Sequence, residues 1–168
     1  MPPRWRKLLI AVGPLILAGT FWLVYWSSFS RSKDIRCIGN LQTIRTCTMQ
    51  WITTHNGLTP SSLASLAQSE NLPPRVFICP ASGSEPRPGE FVCDYDSAFD
   101  RAGGPVASSE AGDSTEIMLV WDKKPFHRQA GKECRYVLFV DGQVSRLSES
   151  EFQQALEKLD RVFPPHRP

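Results

Sequence analysis

From Leu8 to Trp26 nineteen consecutive residues carry no charge, and Arg4, Arg6 and Lys7 stand directly in front of them. At about 1.5 Å of rise per residue the run makes roughly 28 Å of helix, close to the thickness of a bilayer's hydrocarbon core. It predicts one transmembrane helix over 8–26. Gly13 and Pro14 inside it are tolerated in a membrane helix, and Trp5, Trp22, Tyr25 and Trp26 fall near its ends, where aromatic rings favour the headgroups. A cleaved secretory signal shares the basic start, but its apolar region is shorter and ends on small residues, whereas this one ends Phe-Trp-Leu-Val-Tyr-Trp. Arg31, Lys33, Arg36 and Arg45 follow the run, so positive charge alone barely orients it. Five cysteines beyond a span suit an oxidising space. The expectation is a basic cytoplasmic N-terminus over 1–7, a single-pass span in the inner (cell) membrane over 8–26, an extracytoplasmic domain over 27–161 and a Pro-rich tail over 162–168.

The remainder is about 140 residues, enough for one domain with a core of its own. The net charge of +2 and the lack of a basic stripe interleaved with aromatics argue against nucleic acid as a partner. No C-x2-C spacing is present, and His55, His127 and His166 are the only imidazoles. No zinc site is expected on that evidence.

From Ile35 to Thr54, Cys37, Ile38, Leu41, Ile44, Cys47, Trp51 and Ile52 recur at intervals of three and four, the pattern of an amphipathic helix. Gly57, after His55-Asn56, suits the left-handed conformation that closes helices. Pro60, Ser61 and Ser62 start a short second helix through Leu63, Leu66 and Ala67. The Pro-, Gly- and Ser-rich stretch from Asn71 to Gly112 reads as loops around short strands at Val76 to Ile78 and Phe91 to Cys93. Ile117 to Trp121 and Tyr136 to Val140 are β-rich. Asp141-Gly142 then predicts a two-residue type I′ turn into Gln143 to Leu147, because that turn needs positive φ at both positions. Ser148 and Glu151 have the spacing of a capping box, and Phe152, Ala155, Leu156 and Leu159 form the stripe of a terminal helix. The fold class is α+β: an N-terminal transmembrane helix extending into an amphipathic helix, packed on a small antiparallel sheet.

The segments Cys37-Ile-Gly-Asn40-Leu41-Gln-Thr-Ile44, Gly57-Leu-Thr-Pro60 with Leu63 and Leu66, Phe77-Ile-Cys79-Pro80 and Phe139-Val-Asp141-Gly142-Gln-Val144 occur in that order. Together they resemble pseudopilin-like and type IV pilin-like proteins, relatives of the major pseudopilin of type II secretion systems. The resemblance implies a pilin-like fold and a membrane-anchored, non-enzymatic structural or accessory subunit. Its partners would be the bilayer, through one transmembrane helix, and other pilin-like or secretion-system subunits. The alternative is a stand-alone anchored binding domain that reuses the fold. No Asp or Glu occurs before Asp34, where a pilin carries a Glu near its mature N-terminus, and neither Gly13-Pro14 nor Gly19-Thr20 supplies a prepilin cleavage context. Major pseudopilins can hold calcium in a C-terminal loop, so calcium is the one metal the resemblance leaves open, with no cofactor otherwise expected.

No residue is expected to be catalytic. A Gly-x-Ser-x-Gly elbow is missing, and His127 with Cys134 is the only base and nucleophile close in sequence. Asp94, Asp96 and Asp100 are spaced like calcium ligands, but Phe99 and Pro105 stand where an EF-hand needs Gly and Glu, so a solvated acidic loop is expected. Asn40 lies near the apolar helix face and needs a loop backbone partner there. Trp51 reads as core. Cys37 and Cys47 sit about 15 Å apart along one helix, beyond disulfide reach. Cys79 and Cys93 bracket a loop whose closure would contribute roughly 3 kcal/mol, and Cys47 is expected to meet Cys134 across the helix–sheet interface. Cys37 is then left over, either as a buried thiol or as an intermolecular bridge.

Overall fold

A computed structural model describes residues 3–99, 117–129 and 131–164, and in the first helix the side chains of residues 16–22, 24, 25, 28 and 31 onward. The element order is α1 (Pro3–Thr54), α2 (Leu63–Ser69), a 3-10 turn (Pro74–Phe77), β1 (Tyr95–Ser97), β2 (Met118–Asp122), β3 (His127–Gln129), β4 (Lys132–Phe139), β5 (Val144–Ser148) and α3 (Glu149–Val162). The chain divides into two compact units, Met1–Ile35 and Arg36–Pro168.

In the first unit, Ile16, Leu17, Phe21, Trp22, Val24 and Tyr25 are all more than half exposed. Two hydroxyls of this helix are satisfied within it: Thr20 Oγ1 donates to the Leu17 carbonyl and Ser28 Oγ to that of Val24. The expected transmembrane helix requires correction. Among the described residues no helix is long and apolar enough to cross a membrane. The apolar side chains that are described, Ile16 to Tyr25, cover only about 15 Å of helix, half a bilayer core. The side chains of 8–15, 23 and 26 in the expected span lie outside the described residues.

The second unit is a twisted antiparallel sheet with helices on both faces. β4 is its central strand: Val137 pairs with Trp121 of β2 on one edge and Ser145 of β5 on the other, and Cys134 pairs likewise with His127 of β3 and Ser148. β2 and β3 therefore follow one another along the same edge of β4, separated by the excursion Lys123 to Phe126. β1 adds outside β2. A register shift between Met118 and Val120 breaks the alternation of β2. Leu119 and Val120 both join Cys37, Leu41 and Ile44 of α1, Leu63 and Leu66 of α2, and Phe77, Tyr95, Tyr136 and Leu138 in one core. Met118, Trp121, Val137 and Phe139 pack on the opposite face with Phe152 and Leu159 of α3 and Phe163. Every residue of β2 is buried, as a strand covered on both faces requires.

Several local expectations are met. Asn56 and Gly57, at φ 54° and 84°, turn the chain after α1. Ser62 caps the start of α2, where it also closes a capping box with Ser65, and Ser148 forms the expected box of α3 with Glu151. Others need correction. Val76 lies in the 3-10 turn rather than a strand, Phe91 to Cys93 form no strand, and β3 was not foreseen. The hairpin does turn at Asp141-Gly142, but the loop has three residues: Gly142 N–H donates to the Phe139 carbonyl and Phe139 N–H to that of Gln143. Within the turn only Gly142 has positive φ, at 91°, so this is a type I turn closed by a glycine bulge instead of type I′. Asp141 Oδ1 accepts from Gln143 N–H at 2.8 Å, and α1 holds the turn through Gln42 Nε2, which donates to the Gly142 carbonyl at 3.1 Å.

Candidate metal centre

Four residues distant in sequence converge beneath α1. Cys37 lies on the inward face of α1, Cys79 follows the 3-10 turn, Asp122 ends β2 and His127 begins β3. One donor atom from each lies within 4.8 Å of the other three, and none of the four residues is more than 3 % exposed. Cys79 Sγ is 3.2 Å from His127 Nε2, His127 Nε2 is 3.7 Å from Asp122 Oδ2, and Cys37 Sγ is 3.9 Å from Asp122 Oδ1.

Each donor has a structural reason for its position. The helical repeat that buries Leu41 and Ile44 also buries Cys37, one turn before Leu41. The Cys79 segment is pinned from two sides. Asn40 Nδ2 donates to the Ile78 carbonyl at 3.0 Å, the loop partner that a buried-face Asn requires. Asp94 accepts from Cys79 N–H at 3.0 Å and from the hydroxyls of Ser82 and Ser84. Asp94 is therefore a buried loop organiser instead of part of a solvated acidic run, and Asp100 lies outside the described residues. The β2–β3 excursion turns both Asp122 and His127 toward α1. Asp122 Oδ2 accepts from Tyr136 N–H at 2.7 Å, and Tyr136 presents its ring to the His127 imidazole edge-to-face at 4.6 Å. The Tyr95 hydroxyl meets Cys37 Sγ at 3.5 Å.

Three acidic groups in a dry core cannot all ionise. The thiol of Cys37 is pushed well above its ordinary value, first by its hydrogen bond to Cys79, then by burial and by Asp122. Cys79 is shifted the opposite way by the same bond, with help from His127. Burial, then the charge at Cys79, pushes Asp122 up to about 8.

The expected disulfides, Cys79 with Cys93 and Cys47 with Cys134, are not formed. Cys79 Sγ points inward to His127, while Cys93 Sγ donates to the Tyr95 carbonyl at 3.2 Å. Cys47 is half-buried and Cys134 is buried on β4. Cys37, the residue left over, is one of the four members of the cluster. His127 and Cys134 are cross-strand neighbours, yet Cys79 is the thiol at His127 Nε2. Trp51 is half-buried and stacks on His55 at 3.8 Å, and His166 lies outside the described residues. The cluster escaped sequence reasoning because its members are separated by about forty residues apart from Asp122 and His127, whose four-residue gap was the one local signal.

In comparisons with known proteins, no family model, no characterised protein and no solved structure matches this chain.

Proposed function

We propose that this chain is a non-enzymatic, pilin-like structural or accessory subunit of a type II secretion or type IV pilus-type assembly. The observation that carries this reading is the surface of α1 in the first unit. Ile16, Leu17, Phe21, Trp22, Val24 and Tyr25 project over about two thirds of the helix circumference at 100° per residue. A helix apolar over so much of its surface needs apolar surroundings, and among the described residues these side chains stay exposed. Helices of neighbouring subunits supply them in an assembly of this type. The buried chemistry of the second unit supports a building role as well: Cys79 and His127 approach like a nucleophile and its base, but a substrate has no access to side chains this deeply enclosed.

A photo-crosslinking side chain at Leu17 or Phe21, introduced into the full chain in its native cells, tests the reading. Crosslinks to further copies or to other single-helix subunits are expected. Crosslinks confined to lipid, or to none of these, would overturn it.

A further inference from the structure

We propose that Cys37, Cys79, Asp122 and His127 bind one zinc ion in tetrahedral coordination, through two thiolates, one carboxylate and one imidazole, and that this ion ties α1 to the β2–β3 edge of the sheet. The first argument is metric. Zinc lies about 2.3 Å from sulfur and about 2.0 Å from nitrogen or oxygen, which gives a tetrahedron with edges of roughly 3.3–3.8 Å. The Cys79 Sγ–His127 Nε2 edge is 3.2 Å, and the Asp122 carboxylate stands at matching range, with Oδ2 3.7 Å from His127 Nε2 and Oδ1 3.9 Å from Cys37 Sγ. No pair of donor atoms exceeds 4.8 Å, so small rotations close the shell without moving the backbone.

The second argument is chemical. Two thiols, an imidazole and a carboxylate form a mixed soft and borderline set suited to zinc. Calcium and magnesium select oxygen ligands, and only Asp122 offers one here. Binding balances simply: both thiol protons leave to solvent, Asp122 binds as carboxylate, His127 binds neutral through Nε2, and nothing is oxidised or reduced. The resulting centre carries one net negative charge in place of three separate buried acids.

The third argument is the supporting shell. Ligands in metal sites are oriented by outer hydrogen bonds. Here Tyr136 N–H holds Asp122, the Tyr95 hydroxyl meets Cys37 Sγ, and Asp94 fixes the backbone N–H of Cys79. Four protein ligands with no open position and complete enclosure match structural rather than catalytic zinc.

The test uses the full chain purified under reducing conditions, stripped with a chelator, reloaded with zinc or cobalt and passed over a desalting column. One metal per chain is expected by elemental analysis, together with the visible absorption of tetrahedral cobalt thiolate. Cys79→Ser and His127→Ala should lose the retained metal, while Cys47→Ser, outside the cluster, should keep it. Folding failure of a cluster variant is separated by alkylation of the wild type: zinc should shield Cys37 and Cys79 from a thiol reagent, and chelator should expose both. A wild-type chain that retains no metal, metal retained equally by the cluster variants, or a Cys37–Cys79 disulfide in metal-free protein from native cells would overturn the proposal.

Discussion

At Gly142 the backbone φ is 91°, and a β-carbon there would collide with the guanidinium of Arg45, the α1 side chain that reaches over the turn. Both effects act against substitution. Arg45 is flexible and can swing aside, but a β-branched residue resists the left-handed region regardless of space. Gly142→Val should therefore lower stability by about 1–3 kcal/mol, read as a reduced urea midpoint with an unchanged slope. The need for glycine was legible in the Asp-Gly pair. The turn type was not, because it depends on the register between β4 and β5 and on Gln42 and Arg45 holding the loop from α1. Asp94 teaches a similar lesson: its neighbours in sequence suggested a solvated loop, and only its placement against Cys79, Ser82 and Ser84 makes it a buried acceptor.

α3 shows how much an element owes to its first turn. Ser148 Oγ accepts from Glu151 N–H at 3.4 Å, and Glu151 Oε2 accepts from Ser148 N–H at 2.8 Å, so two otherwise orphaned donors are satisfied. Ser148→Ala should cost about 1 kcal/mol, measured by chemical denaturation. One residue further on, Glu149 receives Arg135 of β4 in a two-pronged contact at 2.8 and 2.9 Å, while the guanidinium lies 4.3 Å from the Phe152 ring. Arg135 holds the Glu149 carboxyl below its ordinary value, aided by Gln153 and opposed by partial burial. A depressed folded-state pKa adds stability that is complete above the unfolded value, about 4.3, and is lost as pH falls through the folded one. The stability gap between wild type and Glu149→Gln should hold steady near neutrality and close on acidification below about pH 4. The contact is partly solvent-exposed, so the gap should stay below about 1 kcal/mol. A gap that persists in acid would show that the glutamine disturbs α3 by another route.

At the scale of the whole second unit, the sheet divides two cores, one under α1 with the donor cluster at its heart and one under α3. Removing the metal should loosen the first without melting the second. Hydrogen exchange of the zinc-loaded chain is expected to show backbone amides of α1 between residues 37 and 51, together with those around Cys79, losing protection on chelation, while α3 keeps its own. Equal loss on both faces would mean that the unit unfolds as one. The sequence by itself determined the amphipathic stripe of α1, the start of α2, the capping box of α3, the position of the hairpin and the α+β class. These are short-range properties, set by periodicity and by the few residue types that a cap or a glycine turn accepts. Tertiary structure alone decided the cysteine chemistry. The Cys79–Cys93 pairing expected from loop length failed because Cys79 turns inward, as Cys37 does, and what these two meet there is set by the excursion between β2 and β3, which carries Asp122 and His127. Donor atoms contributed by elements separated by long intervals become neighbours only when the sheet register is fixed and α1 is seated upon it.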